Sequence, residues 1–251
     1  MGLGLATLIA DQGTPIFKVA DVDGVTIASL LLQAGPNNSD TLLEVGPSGS
    51  SAAHAENPTA IYDLSCRVGG AAAGRATSCV TINSGDVLGD NLWMWRADHG
   101  SGVGWNVNTS KHGLVVNGKN VTVYGLLVEH FQDYQTLWNA DGGRLYFYQS
   151  EMPYDPPNQA AWQRGAVKGY PSYNVADAVT SHQALGFGVY SAFQTQVSAE
   201  NAIEAPDRAG IVMRHMATAT FSGTAGVQIA HIFNGTGDYV GPGHTPSFSA
   251  K

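Results

Sequence analysis

The chain has 251 residues, with 12 Lys and Arg against 20 Asp and Glu and a formal net charge of −8. Nucleic acids and anionic membrane surfaces are bound mainly through clustered basic groups, so this charge argues against both as partners. It also disfavours polyanionic sugars, since few cations are present to hold uronate carboxylates. The length can bury a sizeable core, and we interpret residues 1–251 as one all-β domain rather than two small ones.

Short runs with a β-strand pattern follow one another along the chain, each bounded by Gly, Asn, Asp or Pro, as strands separated by turns are. The 31 glycines and the 13% of charged residues fit a turn-rich, strand-rich protein. In chain order the runs are GLGLATLI, PIFKVADVDGVTIASLLLQAG, TLLEVG, SCVTINSGDVLGDNLWMW, HGLVVNGKNVTVYGLLVEHF, GRLYFYQSE, YNVADAV, ALGFGVYSAF, GIVMRHMATATFSG and GVQIAHIFNGTG.

The N-terminus lacks the basic, apolar and cleavage regions of a signal peptide. Strand-like sequence follows directly after Met1, so we interpret the chain as a mature or truncated one. No apolar run reaches the roughly 18 residues that a membrane span needs.

Cys66 and Cys79 flank the small, flexible segment RVGGAAAGRATS between two strand-like runs. A disulfide here would close a loop of about 14 residues and contribute roughly 3 kcal/mol in the chain-entropy model. Two buried free thiols are the alternative. A secreted protein would favour the disulfide.

Several runs share a turn residue followed by V-x-[IV]-x-x-L-x-[VLM]; DGVTIASLLL and KNVTVYGLLV fit it, and GDVLGDNLWM fits more loosely. The step from Val121 to Leu145 is about one coil of a parallel β-solenoid. The longer step from Val87 to Val121 fits an insertion that carries GSGVGWNVNTSKHG. The pattern favours a parallel β-helix of the pectin-lyase-like type over a β-sandwich, which would also give many short strands.

Glu129 and Glu151 lie close to one coil apart. Equivalent strands of successive coils are roughly 4.8 Å apart, so the two carboxylates would meet if they share a face. Their repulsion would then raise the pKa of one of them, which makes an acid and a base available from identical side chains. The alternative is a chance spacing, since the chain has 20 acids.

Aromatic residues bracket the two glutamates, and flat aromatic faces are the usual platforms for sugar rings. Core packing is the alternative for each of them. We expect Trp93 or Trp95 to be buried, since neighbouring strand residues face opposite ways while these two share a side. The bracketing residues are Trp93, Trp95, Trp105, Trp138, Tyr154 and Trp162. Of these, the candidates for sugar subsites are Trp93, Trp95, Trp138 and Tyr154.

Asp98 and His99 follow the LWMW strand and are candidates for a polar pair near the substrate, for metal ligands or for simple turn chemistry. His130 could orient the Glu129 carboxylate or face solvent. Gln149 is a further candidate for substrate binding. No metal is expected, because His-x-His, HExxH and Cys/His clusters are missing, and no cofactor is expected, because phosphate-loop and dinucleotide motifs are missing.

Three segments together, LWMWRADHG, GLVVNGKNVTVYGLLVEHF and YQSEMPYDPPNQAAW, resemble the second half of glycoside hydrolase family 55. Members of this family are β-1,3-glucanases built from two tandem right-handed β-helices, with similar elements in this order. The resemblance covers about residues 85 to 165 strongly and is most similar to bacterial secreted members. It implies a right-handed β-helix and a secreted, extracellular protein.

The resemblance also implies inverting hydrolysis of a neutral β-1,3-glucan in a cleft. Glu151, in the E-x-P-Y element, corresponds to the general acid, and Glu129, in the EH element, corresponds to an acidic partner. Family members are much longer, so we expect this chain to lack most of the first helix and the polar residues that it contributes. A non-catalytic glucan-binding or structural β-helix is therefore the second hypothesis. A polysaccharide lyase is the third, and the acidic charge argues against it.

Overall fold

The computed structural model describes residues 6–250 of the chain. These residues form strands and one short 3₁₀ turn, Gln159–Ala161, with no α-helix. Residues 2–5 of the first predicted run lie outside the described part. The strands are β1 Ala6–Ala10, β2 Phe17–Val19, β3 Thr26–Ala34, β4 Ser39–Val45, β5 Ala60–Val68, β6 Ala76–Ile82, β7 Leu88–Arg96, β8 His112–Val116, β9 Thr122–Glu129, β10 Thr136–Trp138, β11 Gly143–Glu151, β12 Gln163–Arg164, β13 Val167–Lys168, β14 Tyr173–Val175, β15 His182–Ser191, β16 Ala199–Glu204, β17 Ile211–Thr220, β18 Ile229–Phe233 and β19 Ser247–Ala250.

Two large sheets contain all the strands except the small antiparallel pair β12 and β13. The first sheet has the order β1-β3-β5-β7-β9-β11-β15-β17-β19, and the second has the order β18-β16-β14-β10-β8-β6-β4-β2. Neighbouring strands run parallel throughout, apart from β17 and β19. The prediction of an all-β protein with parallel strands is confirmed. We call one strand of the first sheet and the following strand of the second sheet a repeat.

The register between repeats follows the predicted sequence pattern. Leu88 pairs with Thr122, so the long step from Val87 to Val121 is correct, and its excess lies in residues 97–111 between β7 and β8. The predicted shorter step was two residues too long, because Leu145 pairs with Val123 rather than Val121.

Each long strand of the first sheet bends at one residue with a left-handed backbone, a conformation that is uncommon outside Gly, Asn and Asp. The bend separates the outward side chains of the sheet into a first-half face, before the bend, and a second-half face, after it. The bend residues, with φ from 50° to 79°, are Ser29, Asp63, Asn91, Gly125, Phe147, Gly186 and His215.

The core lies between the two sheets and is filled by the inward residues of each repeat, such as Leu92, Met94, Leu126 and Val128, all fully buried. A disulfide joins Cys66 on β5 to Cys79 on β6, with the Cα atoms 6.1 Å apart, and so links the two sheets inside one repeat. No helix within residues 6–250 is long and apolar enough to span a membrane.

Candidate active site

The second-half face brings together residues from consecutive repeats. Glu151 on β11 pairs in register with Glu129 on β9, which pairs with Trp95 on β7. Neighbouring strands are about 4.8 Å apart, so the two carboxylates are adjacent, as the repeat pattern predicted. We call this row of residues, paired in register across neighbouring strands, the column. It extends beyond Trp95 to Arg67 on β5 and beyond Glu151 to Tyr190 on β15.

Three side chains hold the Glu151 carboxylate. The Tyr154 hydroxyl donates a hydrogen bond to Oε2. His130 Nε2 lies 3.3 Å from the same oxygen, and Gln149 Nε2 donates to Oε1 at 3.3 Å. The hydrogen bond with His130 lowers the pKa of Glu151, and the bond from Tyr154 acts in the same direction against the effect of burial. These contacts favour the ionised carboxylate.

Glu129 has the opposite electrostatic setting. Burial raises its pKa, and the nearby Glu151 carboxylate raises it further. The hydrogen bond from Trp93 Nε1 to Glu129 Oε2, at 3.2 Å, offsets part of this rise. The predicted separation of the two pKa values is present, but burial is its main cause. Glu129, rather than Glu151, is the carboxyl group whose pKa is raised.

The contacts of His130 allow one proton to be shared with Glu151. His130 Nδ1 lies 3.2 Å from the Arg96 carbonyl oxygen, which can only accept, so Nδ1 carries a proton and donates it. Nε2 is then either protonated and donates to the Glu151 carboxylate, or neutral and accepts from the protonated carboxyl. The proton between these two atoms can therefore reside on Glu151. The two alternatives predicted for His130, orienting Glu129 or facing solvent, are therefore both replaced: the side chain is buried and contacts Glu151.

A buried arginine fixes the chain segments that carry these groups. Arg96, only 1% exposed, donates two hydrogen bonds to Asp155, at 2.9 and 3.0 Å. It also donates to the His130 carbonyl oxygen at 3.1 Å. His130 has a left-handed backbone with φ of 68°, and Asp155 directly follows Tyr154. Arg96 therefore ties together the two segments that deliver His130 and Tyr154 to Glu151.

The tryptophans of β7 form the aromatic part of the site. Trp93 and Trp95 stack with ring centroids 5.8 Å apart, and Trp93 is 43% exposed. The expectation that one of them is buried was wrong: both point outward, since they are two residues apart, and Met94 fills the core between them. His99 packs against Trp95 at 5.1 Å and hydrogen-bonds Asp98 at 2.9 Å.

Trp138 does not belong to this face. It lies on β10 of the second sheet, is fully buried and packs against Tyr173 and His182, so it has no exposed ring for a sugar. Trp162 is buried as well. Trp138 lies near the glutamates in sequence but not on their surface, because successive strands alternate between the two sheets. Trp162 lies in the connection before β12 and packs against Phe193.

Three residues that belong to the surroundings of the site were missed from the sequence: Arg67, Asp155 and Tyr190. Arg67 and Tyr190 could have been found by aligning every repeat, since they occupy the register position of Glu129 and Glu151. Asp155 had no comparable signal. No group of three His, Cys, Asp or Glu side chains within residues 6–250 is arranged to hold a metal ion.

Two adjacent carboxyl groups in different electrostatic settings, on a face that also carries the Trp93 and Trp95 indole rings, are an arrangement that glycoside hydrolases use. Comparison with known proteins agrees. A family model described as the LAM55 pectate lyase-like domain matches residues 1–151. An exo-β-1,3-glucanase of Streptomyces sp. (strain SirexAA-E / ActE) is 45% identical over 240 residues, which cover 95% of this chain and 39% of that protein.

The structure of sacteLam55A from Streptomyces sp. SirexAA-E is similar, with a TM-score of 0.94 and 41% identity over 98% of this chain and 45% of that one. A glutamate-to-alanine variant of sacteLam55A in complex with glucose matches equally well. The chain belongs to glycoside hydrolase family 55, the β-1,3-glucanases. It spans less than half the length of these relatives.

Proposed function

We propose that this chain hydrolyses β-1,3-glucan of the laminarin type, with Glu151 as the general acid. The observation that carries the proposal is the contact of 3.3 Å between His130 Nε2 and the Glu151 carboxyl group, beside the exposed Trp93. The similar exo-β-1,3-glucanase and the similar structure with glucose support the substrate class. We further propose a right-handed parallel β-helix, and secretion, which suits the Cys66–Cys79 disulfide.

In the proposed reaction, the protonated Glu151 carboxyl donates its proton to the glycosidic oxygen as the bond to the sugar breaks. His130 is then neutral at Nε2, and the resulting carboxylate is stabilised by the Tyr154 hydroxyl and by Gln149. General acid assistance of this kind typically contributes 10² to 10⁴ in rate. A sugar that covers the site removes water from these contacts and so favours the neutral form of the pair.

We assign Glu129 the role of tuning this acid or positioning water. An inverting outcome is implied by family membership, and inverting carboxyl pairs are roughly 6.5–9.5 Å apart. Glu129 and Glu151 lie on neighbouring strands whose backbones are about 4.8 Å apart, which leaves less room for a water between them. The group that activates water in an inverting reaction is therefore, in this proposal, neither of the two. Asp98, His99, Trp93, Trp95 and Tyr154 contact the sugar or hold the residues that do.

Replacing Glu151 with Gln tests the assignment. The variant should lose turnover of laminarin by roughly 10²-fold or more, because an amide cannot donate a proton in this way. Glu200→Gln is the matched control, since Glu200 is a half-exposed glutamate on the second sheet. Release of glucose by the Glu151→Gln variant at the parent rate would contradict the assignment of Glu151 as the general acid.

The pH profile separates the two glutamates. If Glu151 supplies the proton, Glu129→Gln keeps an alkaline limb in its rate profile, and Glu151→Gln abolishes it together with the activity. If Glu129 is the acid instead, the alkaline limb disappears in Glu129→Gln and is retained in Glu151→Gln.

The length of the chain favours one alternative function, a glucan-binding domain without catalysis, because the chain covers only 39% of the similar glucanase. Incubation with laminarin decides between the two. Hydrolysis releases reducing sugar, whereas binding alone retards the chain in a glucan-containing native gel without releasing sugar.

A further inference from the structure

A pocket opens on the second-half face beside the tryptophans, on the side away from Glu151. Its volume is about 260 Å³, and it is lined by Leu31, Ser65, Cys66, Arg67, Trp93 and Trp95. Arg67 lies in the same column as Trp95 and Glu129, two strands from Glu129 and three from Glu151. With strands about 4.8 Å apart, these steps place the pocket roughly 10 Å from Glu129 and roughly 14 Å from Glu151.

The Arg67 guanidinium is held in place by a buried glutamine. Gln33 is 8% exposed, and its Nε2 donates to the carbonyl oxygens of Ala34 and Gly69 at 3.2 and 3.3 Å. Its Oε1 accepts a hydrogen bond from Arg67 Nε at 2.5 Å. A side chain fixed in this way loses less conformational entropy when a ligand binds.

Arg67 keeps most of its hydrogen-bonding capacity unused. The only side-chain hydrogen bond of Arg67 within residues 6–250 is the one from Nε to Gln33, and no carboxylate of that part of the chain forms an ion pair with it. The N–H donors of both terminal nitrogens are therefore open to a ligand. They lie at a pocket with indole walls, which is the combination of fixed polar donors and apolar surface that sugars require.

We infer that this pocket is an additional subsite for a glucosyl unit of the substrate chain, remote from the bond that is cleaved, with Arg67 as its hydrogen-bond donor to sugar hydroxyls. The inference rests on the proposed function, because the pocket continues the surface of Glu129 and Glu151. A distance of roughly 14 Å from the acid exceeds one sugar ring, so only longer oligosaccharides reach it.

The test compares kcat/KM for laminari-oligosaccharides of two to six units in the full chain and in Arg67→Ala. We expect the ratio of kcat/KM for the hexasaccharide to kcat/KM for the disaccharide, called the length advantage, to fall about tenfold in Arg67→Ala. A change of this size corresponds to the loss of one hydrogen bond from a charged donor. Arg67→Lys keeps the charge but not the paired donors, so it should recover part of the length advantage. Arg144→Ala, at an exposed arginine on the first-half face, should leave it unchanged.

An unchanged length advantage in Arg67→Ala, with hydrolysis intact, would overturn the subsite and leave the proposed function standing. If the parent chain cleaves no oligosaccharide, the proposed function fails, and tryptophan fluorescence then measures binding of the hexasaccharide. About tenfold weaker binding in Arg67→Ala supports the subsite, whereas equal or absent binding overturns it. The subsite would also be overturned if Arg67→Ala weakened hydrolysis or binding only for glucans that carry anionic groups, since Arg67 would then recognise negative charge rather than sugar hydroxyls. Thermal unfolding of each variant verifies that the fold is retained.

Discussion

The same strands of the first sheet carry two aromatic surfaces that differ in chemistry. On the first-half face, Tyr124 and Tyr146 stack from neighbouring strands with ring centroids 5.2 Å apart and planes within 14°. On the second-half face, the Trp93 indole N–H donates to Glu129, whose register partner Glu151 contacts His130. The aromatic rings of the first-half face contact each other, whereas those of the second-half face lie beside carboxyl groups that accept hydrogen bonds. We therefore base the proposed site on the hydrogen bonds between aromatic side chains and carboxyl groups, and not on crowded aromatic residues alone.

The largest predicted change in stability concerns the ion pair between Arg96 and Asp155, which lies beneath the second-half face. Asp155→Asn removes the charge that compensates the buried Arg96, and we expect unfolding to become easier by about 3–5 kcal/mol. Urea unfolding measures the change. Glu44→Gln, which breaks the pair between the partly exposed Glu44 and the exposed Lys18, is the matched control and should change stability by about 0–1 kcal/mol. Equal effects of the two substitutions would contradict a special role for Arg96.

A second prediction concerns the disulfide that lies beneath the Arg67 pocket. Replacing Cys66 and Cys79 together with Ala should lower the free energy of unfolding by roughly 3 kcal/mol, because the open chain regains loop entropy in the unfolded state. Urea unfolding of oxidised and reduced parent protein provides an independent measurement. If reduction leaves the unfolding midpoint unchanged, the disulfide does not contribute as expected.

A third prediction tests whether the first-half face is free of function. Tyr146→Ala removes the stack with Tyr124 and should destabilise the chain by about 0.5–1.5 kcal/mol beyond the loss of buried area. Activity on laminarin should remain at the parent level, measured at a temperature well below unfolding. A marked loss of activity would contradict the proposed difference between the two faces, since both faces would then act on the substrate.

The smallest predicted effect is a change in pH dependence. Burial raises the pKa of Glu129, so the folded chain binds this proton more tightly than the unfolded chain, and stability falls as pH rises through the folded pKa. Glu129→Gln should weaken that fall. Glu151 behaves oppositely: its lowered pKa contributes stability that is lost as pH falls through the folded pKa. Unfolding curves from acidic to neutral pH would contradict this if Glu129→Gln and the parent chain run parallel.

Much of the site could be predicted because the repeat fixes which residues share a face. The shared V-x-[IV]-x-x-L-x-[VLM] pattern was enough to place Glu129 beside Glu151, although the step to Leu145 was two residues too long. The family resemblance gave the class of protein. The prediction that Trp138 lines a sugar subsite was wrong for a physical reason. Residues that are close in sequence need not be close in space when each repeat passes through both sheets.

Other features had no readable signal in the sequence. The contact between Arg96 and Asp155 joins residues far apart in the chain, and neither lies in the repeated pattern. The pKa of Glu129 depends on burial, which register alone does not provide. The bend residues are chemically mixed, and a Phe or His in a left-handed conformation is held there by its neighbours rather than by its own preference.

The aligned bends limit how this protein can change its length. One residue added within a strand of the first sheet would turn every following outward side chain inward, and it would move a carboxyl group or a tryptophan into the core. Residues 97–111, between β7 and β8, lie outside both sheets and already hold the extra length of their repeat. Added length is therefore accommodated in this connection, away from Asp98, His99 and the Gly104 and Asn108 carbonyls that Arg96 contacts, whereas strand lengths must be kept.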